Sequence, residues 1–322
     1  MEAAIRFLKN WMLPIAIVTG ASSYLLFHFL PALHGIGPAC HLFAVKCQPT
    51  LIGIMLFLQF VKMAPSDMKF HRWHIWLLLI QALLFLGLAW PAMHVRSEAA
   101  KIALECAMLC FICPTAAAAG VLTDRLGGSL AGVMTYTVLI NTVAALLIPA
   151  VIPLLYPSAG LTFMGSVLRI GGRIFPILIL PCLAAWLVRY TLPRLQAWLL
   201  PRAHWSFYIW GVTLTLSMVL ATRALVLYAP GWMDTLLIVA VSIVCCIFQF
   251  GTGRLVGRIY SHGDKVTAGQ SLGQKNTGFL IWLGYSYMTP VTSVAGGLYA
   301  IWHNLFNSWE LWRMRKNAKF AS

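Results

Sequence analysis

The sequence predicts an all-α polytopic membrane protein of about ten transmembrane helices, arranged as a five-plus-five inverted repeat with helices four and nine broken. Three observations predict it. Hydrophobic residues make up 60% of the 322 and charged residues only 10%, with a mean hydropathy of +0.82; a soluble domain carries about 25% charge. Apolar stretches of membrane-crossing length recur along the whole chain. Two of them are interrupted by polar and helix-breaking residues, one in each half: Cys-Pro-Thr-Ala-Ala-Ala-Ala-Gly at 113–120 and Gly-Gln-Ser-Leu-Gly-Gln-Lys-Asn-Thr-Gly at 269–278.

The ten spans fall near 11–30, 41–61, 73–93, 101–121, 128–155, 168–190, 205–227, 231–253, 266–285 and 290–311. The first has a basic lead-in, Arg6 and Lys9. Its apolar stretch is too long for a signal peptide and no small-x-small cleavage site follows, so a retained helix is expected. Basic residues then fix the orientation. With the N-terminus inside, the inner segments hold Arg6 and Lys9; Lys62, Lys69 and Arg72; Arg125; Arg189, Arg194 and Arg202; Arg254, Arg258 and Lys265; and Arg313, Arg315, Lys316 and Lys319. That is 16 of 23 Lys and Arg, while the outer loops near 31–40, 156–167 and 286–289 hold none. Both termini are expected in the cytoplasm of a cell membrane, the bacterial inner membrane.

A net charge of +15 raises nucleic acid as a partner, but the basic residues sit singly between spans rather than as a patch. The partner they imply is the lipid bilayer. Most of the eight cysteines lie inside spans (Cys106, Cys110, Cys113, Cys245, Cys246); they read as structural thiols, with no loop framework for disulfides and no zinc-ligand spacing.

Ten spans divide as residues 1–155 and 156–322. Repeats of five must insert with opposite orientation, which is the architecture of many secondary transporters, and paired interrupted spans point to their binding site. Unwound backbone inside a membrane is tolerable only against protein or a water-filled cavity. The second interruption also carries Lys275, an ionisable group eight or nine residues inside a span.

The two interruptions, together with Gln81 in Leu-Ile-Gln-Ala-Leu, resemble the bile acid:sodium symporter family, including its bacterial ten-span members, over nearly the whole chain. Cys113-Pro114-Thr115-Ala116-Ala117-Ala118-Ala119-Gly120 is similar to the family's Cys-Pro-Gly-Gly-Thr-Ala-Ser-Asn. Ser271-Leu272-Gly273-Gln274-Lys275-Asn276-Thr277-Gly278 is similar to its Glu-x-Gly-x-Gln-Asn-x-Gly. The resemblance implies a panel domain of spans 1, 2, 6 and 7 and a core domain of spans 3–5 and 8–10. It also implies that spans four and nine cross at their interruptions, with an organic anion and two sodium ions bound beside the crossing.

The family's sodium ligands are largely missing. Its Ser and Asn at the first interruption fall on Ala119 and Gly120, a Ser in span five falls on Val133, its shared glutamate falls on Ser271 and the adjacent glutamine on Lys275. Gln81 and Thr137 keep their character. Hard cations want several oxygens and a carboxylate, and a sodium ion about 4 Å from an ammonium is repelled by roughly 4 kcal/mol at an effective dielectric of 20. Sodium is therefore not expected as a cofactor. Lys275 is expected to take the cation's place, bonded to carbonyls at the interruption and to Gln81 or Ser271, or else to carry a proton through the cycle.

The expected substrate- and ion-binding residues are Gln81, Thr115, Thr137, Ser271, Gln274, Lys275 and Asn276, with Glu105, His303 and Asn304 as secondary candidates. Glu105 serves equally well as a paired group near the outer end of span four. His303, Asn304 and Asn307 form a polar strip for which helix–helix hydrogen bonding is the commoner role. Lys46 reads as a snorkelling residue at the start of span two, and Arg169 and Arg173 read first as anchors of span six, with attraction of anions towards an outward-open cavity as the alternative. Tryptophans at span ends, such as Trp73 and Trp309, form an aromatic belt.

Three classes of function follow. A secondary transporter of a small organic anion fits the paired interruptions. A membrane enzyme would need clustered carboxylates or histidines, and the eight acids, among them Asp67, Asp124 and Asp264, are scattered. A sodium-coupled symporter with rearranged sites, or a membrane protein that binds without transporting, is the alternative.

Overall fold

The computed structural model describes residues 2–33, 35–228 and 231–321; the side chains of residues 2–10, 315 and 317–321 are outside that description. Arg6, Lys9, Arg315 and Lys319, used in the charge alternation, are thus outside the described side chains. Among the described residues the protein is all-α: α1 (Glu2–Phe29), α2 (Gly37–Phe60), α3 (Arg72–His94), α4 (Glu98–Ile112), α5 (Ala119–Arg125), α6 (Leu130–Leu155), α7 (Phe163–Leu178), α8 (Leu180–Thr191), α9 (Pro193–Leu199), α10 (Ser206–Tyr228), α11 (Trp232–Arg258), α12 (His262–Gly273), α13 (Thr277–Tyr287) and α14 (Ser293–Ala321).

Among the described residues six stretches are long and apolar enough to cross a membrane: Trp11–Phe29, Gly37–Phe60, Arg72–His94, Leu130–Leu155, Pro193–Tyr228 and Trp232–Arg258. A seventh is the pair α7 and α8, bent by 44°. Pro176 lies inside α7 and Pro181 opens α8, so the bend falls where prolines remove backbone donors. The interrupted segments, α4 with α5 and α12 with α13, consist of pieces too short to count singly.

The helix ends follow from local chemistry. Ser97, Ser129, Thr162 and Ser261 cap α4, α6, α7 and α12 by accepting from backbone N–H groups of the first turn, the preferred residue types for that role. α4 ends because Pro114 pushes Cys113 out of the helical region, to φ −56°, ψ 129°.

α10 packs on α1, α2 and α13; α2 packs on α7 and α8; α11 packs on α12, α4 and α14. The α11–α12 approach depends on Gly253 and Gly257, four residues apart. A Cβ at Gly253 would meet the Ala268 carbonyl oxygen at 2.5 Å, and one at Gly257 would strike the Asp264 carbonyl closer still. This is the small-residue spacing that lets membrane helices approach closely. Gly257→Ala is expected to destabilise the protein by about 1–3 kcal/mol. Gly251→Ala on the same helix, where no atom lies within 4 Å, should be neutral. Thermal unfolding of both variants in detergent checks the contrast.

Candidate binding site at the helix crossing

The two interruptions meet. Residues 113–118 and 274–276 are non-helical, and they pair as a minimal antiparallel bridge between Thr115 and Lys275. The Ala116 N–H donates to the Gln274 carbonyl (3.0 Å) and the Asn276 N–H donates to the Pro114 carbonyl (2.9 Å). The Thr115 hydroxyl adds a bond to the Ser271 carbonyl (2.7 Å). Backbone groups freed by unwinding one segment are thus satisfied by the other, which is how a break survives in an apolar interior.

The remaining carbonyls at the ends of the half-helices are met by side chains. Gln81 from α3 donates to the Phe111 carbonyl and, more weakly, to that of Cys113 (3.4 Å), while its oxygen accepts from the Tyr136 hydroxyl of α6. Gln249 from α11 donates to the Cys110 carbonyl (3.2 Å). Tyr299 from α14 donates to the Gly273 carbonyl (2.8 Å). Asn276 caps α13 by accepting from the Phe279 N–H (3.3 Å).

Of the predicted site residues, Gln81, Thr115, Ser271, Gln274, Lys275 and Asn276 come together here. His303 joins them, its Nδ1 accepting from the Lys275 backbone N–H at 3.4 Å. Three do not. The Thr137 hydroxyl bonds the Val133 carbonyl of its own helix (2.9 Å), and Asn304 likewise donates to Ala300 (2.7 Å). Glu105 is buried at a different junction: it accepts from the Tyr156 hydroxyl and from the Thr289 N–H (3.1 Å), with Lys101 at 3.9 Å. It ties α4 to the end of α6 and to the turn after α13.

Lys275 departs from expectation. Its side chain is 1% exposed, yet among the described residues its Nζ has no hydrogen-bond partner. Gln81 is spent on backbone carbonyls, and the Ser271 hydroxyl is itself unpartnered. The thiols of Cys113, Cys110, Cys245 and Cys246 surround the Lys275 amine. Amide and phenol donors, rather than the ammonium, therefore occupy the carbonyls. Backbone carbonyls expose no side-chain pattern, so Gln249, Tyr136 and Tyr299 carried no sequence signal beyond being polar groups within spans.

A second polar chain reaches the crossing from α11 and α14. Arg254 pairs with the buried Glu310; Gln270 donates to Glu310 and to Asn307 (3.3 Å); Gln274 donates to Gln270. Sequence reasoning missed Arg254, Gln270 and Glu310 as one unit because they are distant along the chain.

Gln81→Leu should leave two carbonyls and the Tyr136 hydroxyl without partners, at about 1–3 kcal/mol per buried orphan. Tyr136→Phe, which breaks one bond, should cost less. Unfolding midpoints of the two variants measure the difference; equal midpoints would contradict the bonding scheme.

Between α2, α7, α8 and α13 lies an open cavity of about 740 Å³. Lys46 and Arg173 face it, with Thr50, Trp282 and Ser286. This corrects the reading of Lys46: α2 begins at Gly37, so Lys46 stands about 13 Å along the helix at 1.5 Å per residue, not at its start.

No family model matches this sequence, and no curated protein matches it.

Proposed function

We propose that this protein is a secondary transporter of a small organic anion that works by alternating access, similar to bile acid:sodium symporters but without sodium. In this reading the chain crosses the membrane ten times: α1; α2; α3; α4 with α5; α6; α7 with α8; α9 with α10; α11; α12 with α13; and α14. The halves 1–155 and 156–322 are inverted repeats with both ends cytoplasmic. A panel of α1, α2, α7–α8 and α10 then moves against a core holding the crossing.

The observation that carries the reading is the pairing of two interrupted helices through Thr115 and Lys275, since broken helices of this kind build transporter sites. Sodium independence draws on the same place. The carbonyls at the ends of the half-helices accept from Gln81, Gln249 and Tyr299, and the charged side chain among residues 113–118 and 274–276 is Lys275. The cationic cavity beside α13 suits an anion.

Flux of labelled organic anions into proteoliposomes tests this, run with and without sodium and pH gradients and set beside equilibrium binding. Uptake that proceeds equally in sodium-free buffer is expected. Uptake that saturates with sodium and collapses in its absence would overturn the sodium argument. Saturable binding with no flux would leave a membrane binding protein in place of a transporter.

A further inference from the structure

We propose that the cavity between α2, α7, α8 and α13 binds an amphipathic dianion, a doubly charged oxyanion such as a phosphate monoester on an apolar body, with Lys46 and Arg173 as its charge-reading residues. The proposal rests on the transport reading for its place in the cycle, but not for the binding itself.

Two cations share this cavity. Lys46 lies nine residues into α2 from Gly37 and Arg173 ten residues into α7 from Phe163, about 13 and 15 Å along their helices. A hydrocarbon core is about 30 Å thick, so both charges stand far from either helix start. Both side chains are exposed, and at such depth an exposed cation belongs against water or an anion rather than lipid tails. No Asp or Glu lines the cavity, and no ion pair involves either residue among the described ones.

The walls fix the rest of the ligand. Apart from Lys46, Arg173, Thr50 and Ser286, the lining is apolar, with Phe57 and Trp282 its largest faces. With no carboxylate in the lining, one negative charge would leave one of the two exposed cations without a counter-charge. Two negative charges balance both residues. The guanidinium of Arg173 suits an oxyanion bidentately, while Lys46 acts as a point charge. The Ser286 hydroxyl, buried with no partner, supplies a further donor. Because Trp282 and Ser286 belong to α13, the ligand would rest on the half-helix that starts at the crossing.

The head could belong to a soluble metabolite or to a lipid such as phosphatidate, and the test separates these sources. The full chain is placed in nanodiscs of phosphatidylcholine at about pH 8, where a phosphate monoester, with a second pKa of about 6, is almost fully dianionic. Binding of 1-naphthyl phosphate is compared with binding of the monoanionic 1-naphthyl sulfate. The phosphate is expected to bind at least about tenfold more tightly, since charge-assisted contacts to two cations are gained. Lys46→Gln and Arg173→Gln should each erase most of that preference. Gly172→Leu, at a lining position with nothing within 4 Å, should fold normally and block both probes. Competition by phosphatidic acid added to the nanodiscs would identify a lipid source, and its failure to compete a soluble one; either supports the dianion site. Equal affinity for phosphate and sulfate, or a preference unchanged by both Gln variants, overturns it. Dianion-selective binding without proteoliposome flux would sink the transport reading alone, and flux without phosphate preference would sink this proposal alone.

Discussion

Lys275→Met is expected to raise the protein's stability and, in the transport reading proposed above, to abolish flux. The native Nζ is buried with no hydrogen-bond partner among the described residues, and a buried unsatisfied polar group costs about 1–3 kcal/mol. Methionine keeps the length of the side chain and removes the amine, so the unfolding midpoint should rise. An ordinary structural residue would not behave this way, since its removal would lower stability. The gain in stability with loss of transport is the signature of a group kept for function at a cost to the fold. Proteoliposome flux and thermal unfolding on the same preparation measure both. Lys275→Gln refines the result, because an amide can hydrogen-bond where the thioether cannot. If Lys275 is permanently protonated, wild-type flux should be nearly flat between about pH 6 and pH 8; if it exchanges a proton in each cycle, flux should titrate in reach of that window. A Lys275→Met protein that transports at the wild-type rate would end the assignment.

The largest loss of stability is expected from Glu310→Ala. Its carboxylate is buried and holds Arg254 and Gln270 together. Removing one partner of a buried pair leaves the other charge uncompensated, at about 3–5 kcal/mol; because Arg254 keeps some exposure, the lower end is expected. The Arg254→Met, Glu310→Met double variant should recover part of that loss, since replacing both partners by apolar groups is far cheaper than stranding one. Unfolding midpoints of the two single variants and the double variant form the cycle. Since Gln270 also holds Gln274 at the crossing, Glu310→Ala should reduce flux as well. A double variant no more stable than either single one would show that the ion pair is not the source of the effect.

Much of the fold was legible because membrane solvation writes it into composition. Apolar length marks the helices, and the interruptions at 113–120 and 269–278 mark where two spans break. The candidate site was legible in part. Thr115, Ser271, Gln274, Lys275 and Asn276 stand out as polar groups at interruptions and Gln81 through the resemblance, and the structure gathers them. Thr137 and Asn304 stood out equally and yet bond only to their own helices, because a hydroxyl or amide in a span can turn back on the preceding turn and sequence does not say which way it turns.

By itself, then, the sequence determined that the chain is an all-α membrane protein, where two of its spans are interrupted, and that a lysine sits in one of the interruptions. Only the tertiary structure decided what answers the freed carbonyls: amides and phenols from α3, α11 and α14, with the Lys275 amine left unpaired. It alone brought Lys46 and Arg173 to one cavity and Glu310 to Arg254. The reason is physical. Apolar length and a proline act on the backbone locally and can be read in a window of residues, whereas the partner of a buried polar group is chosen by which helix packs opposite it.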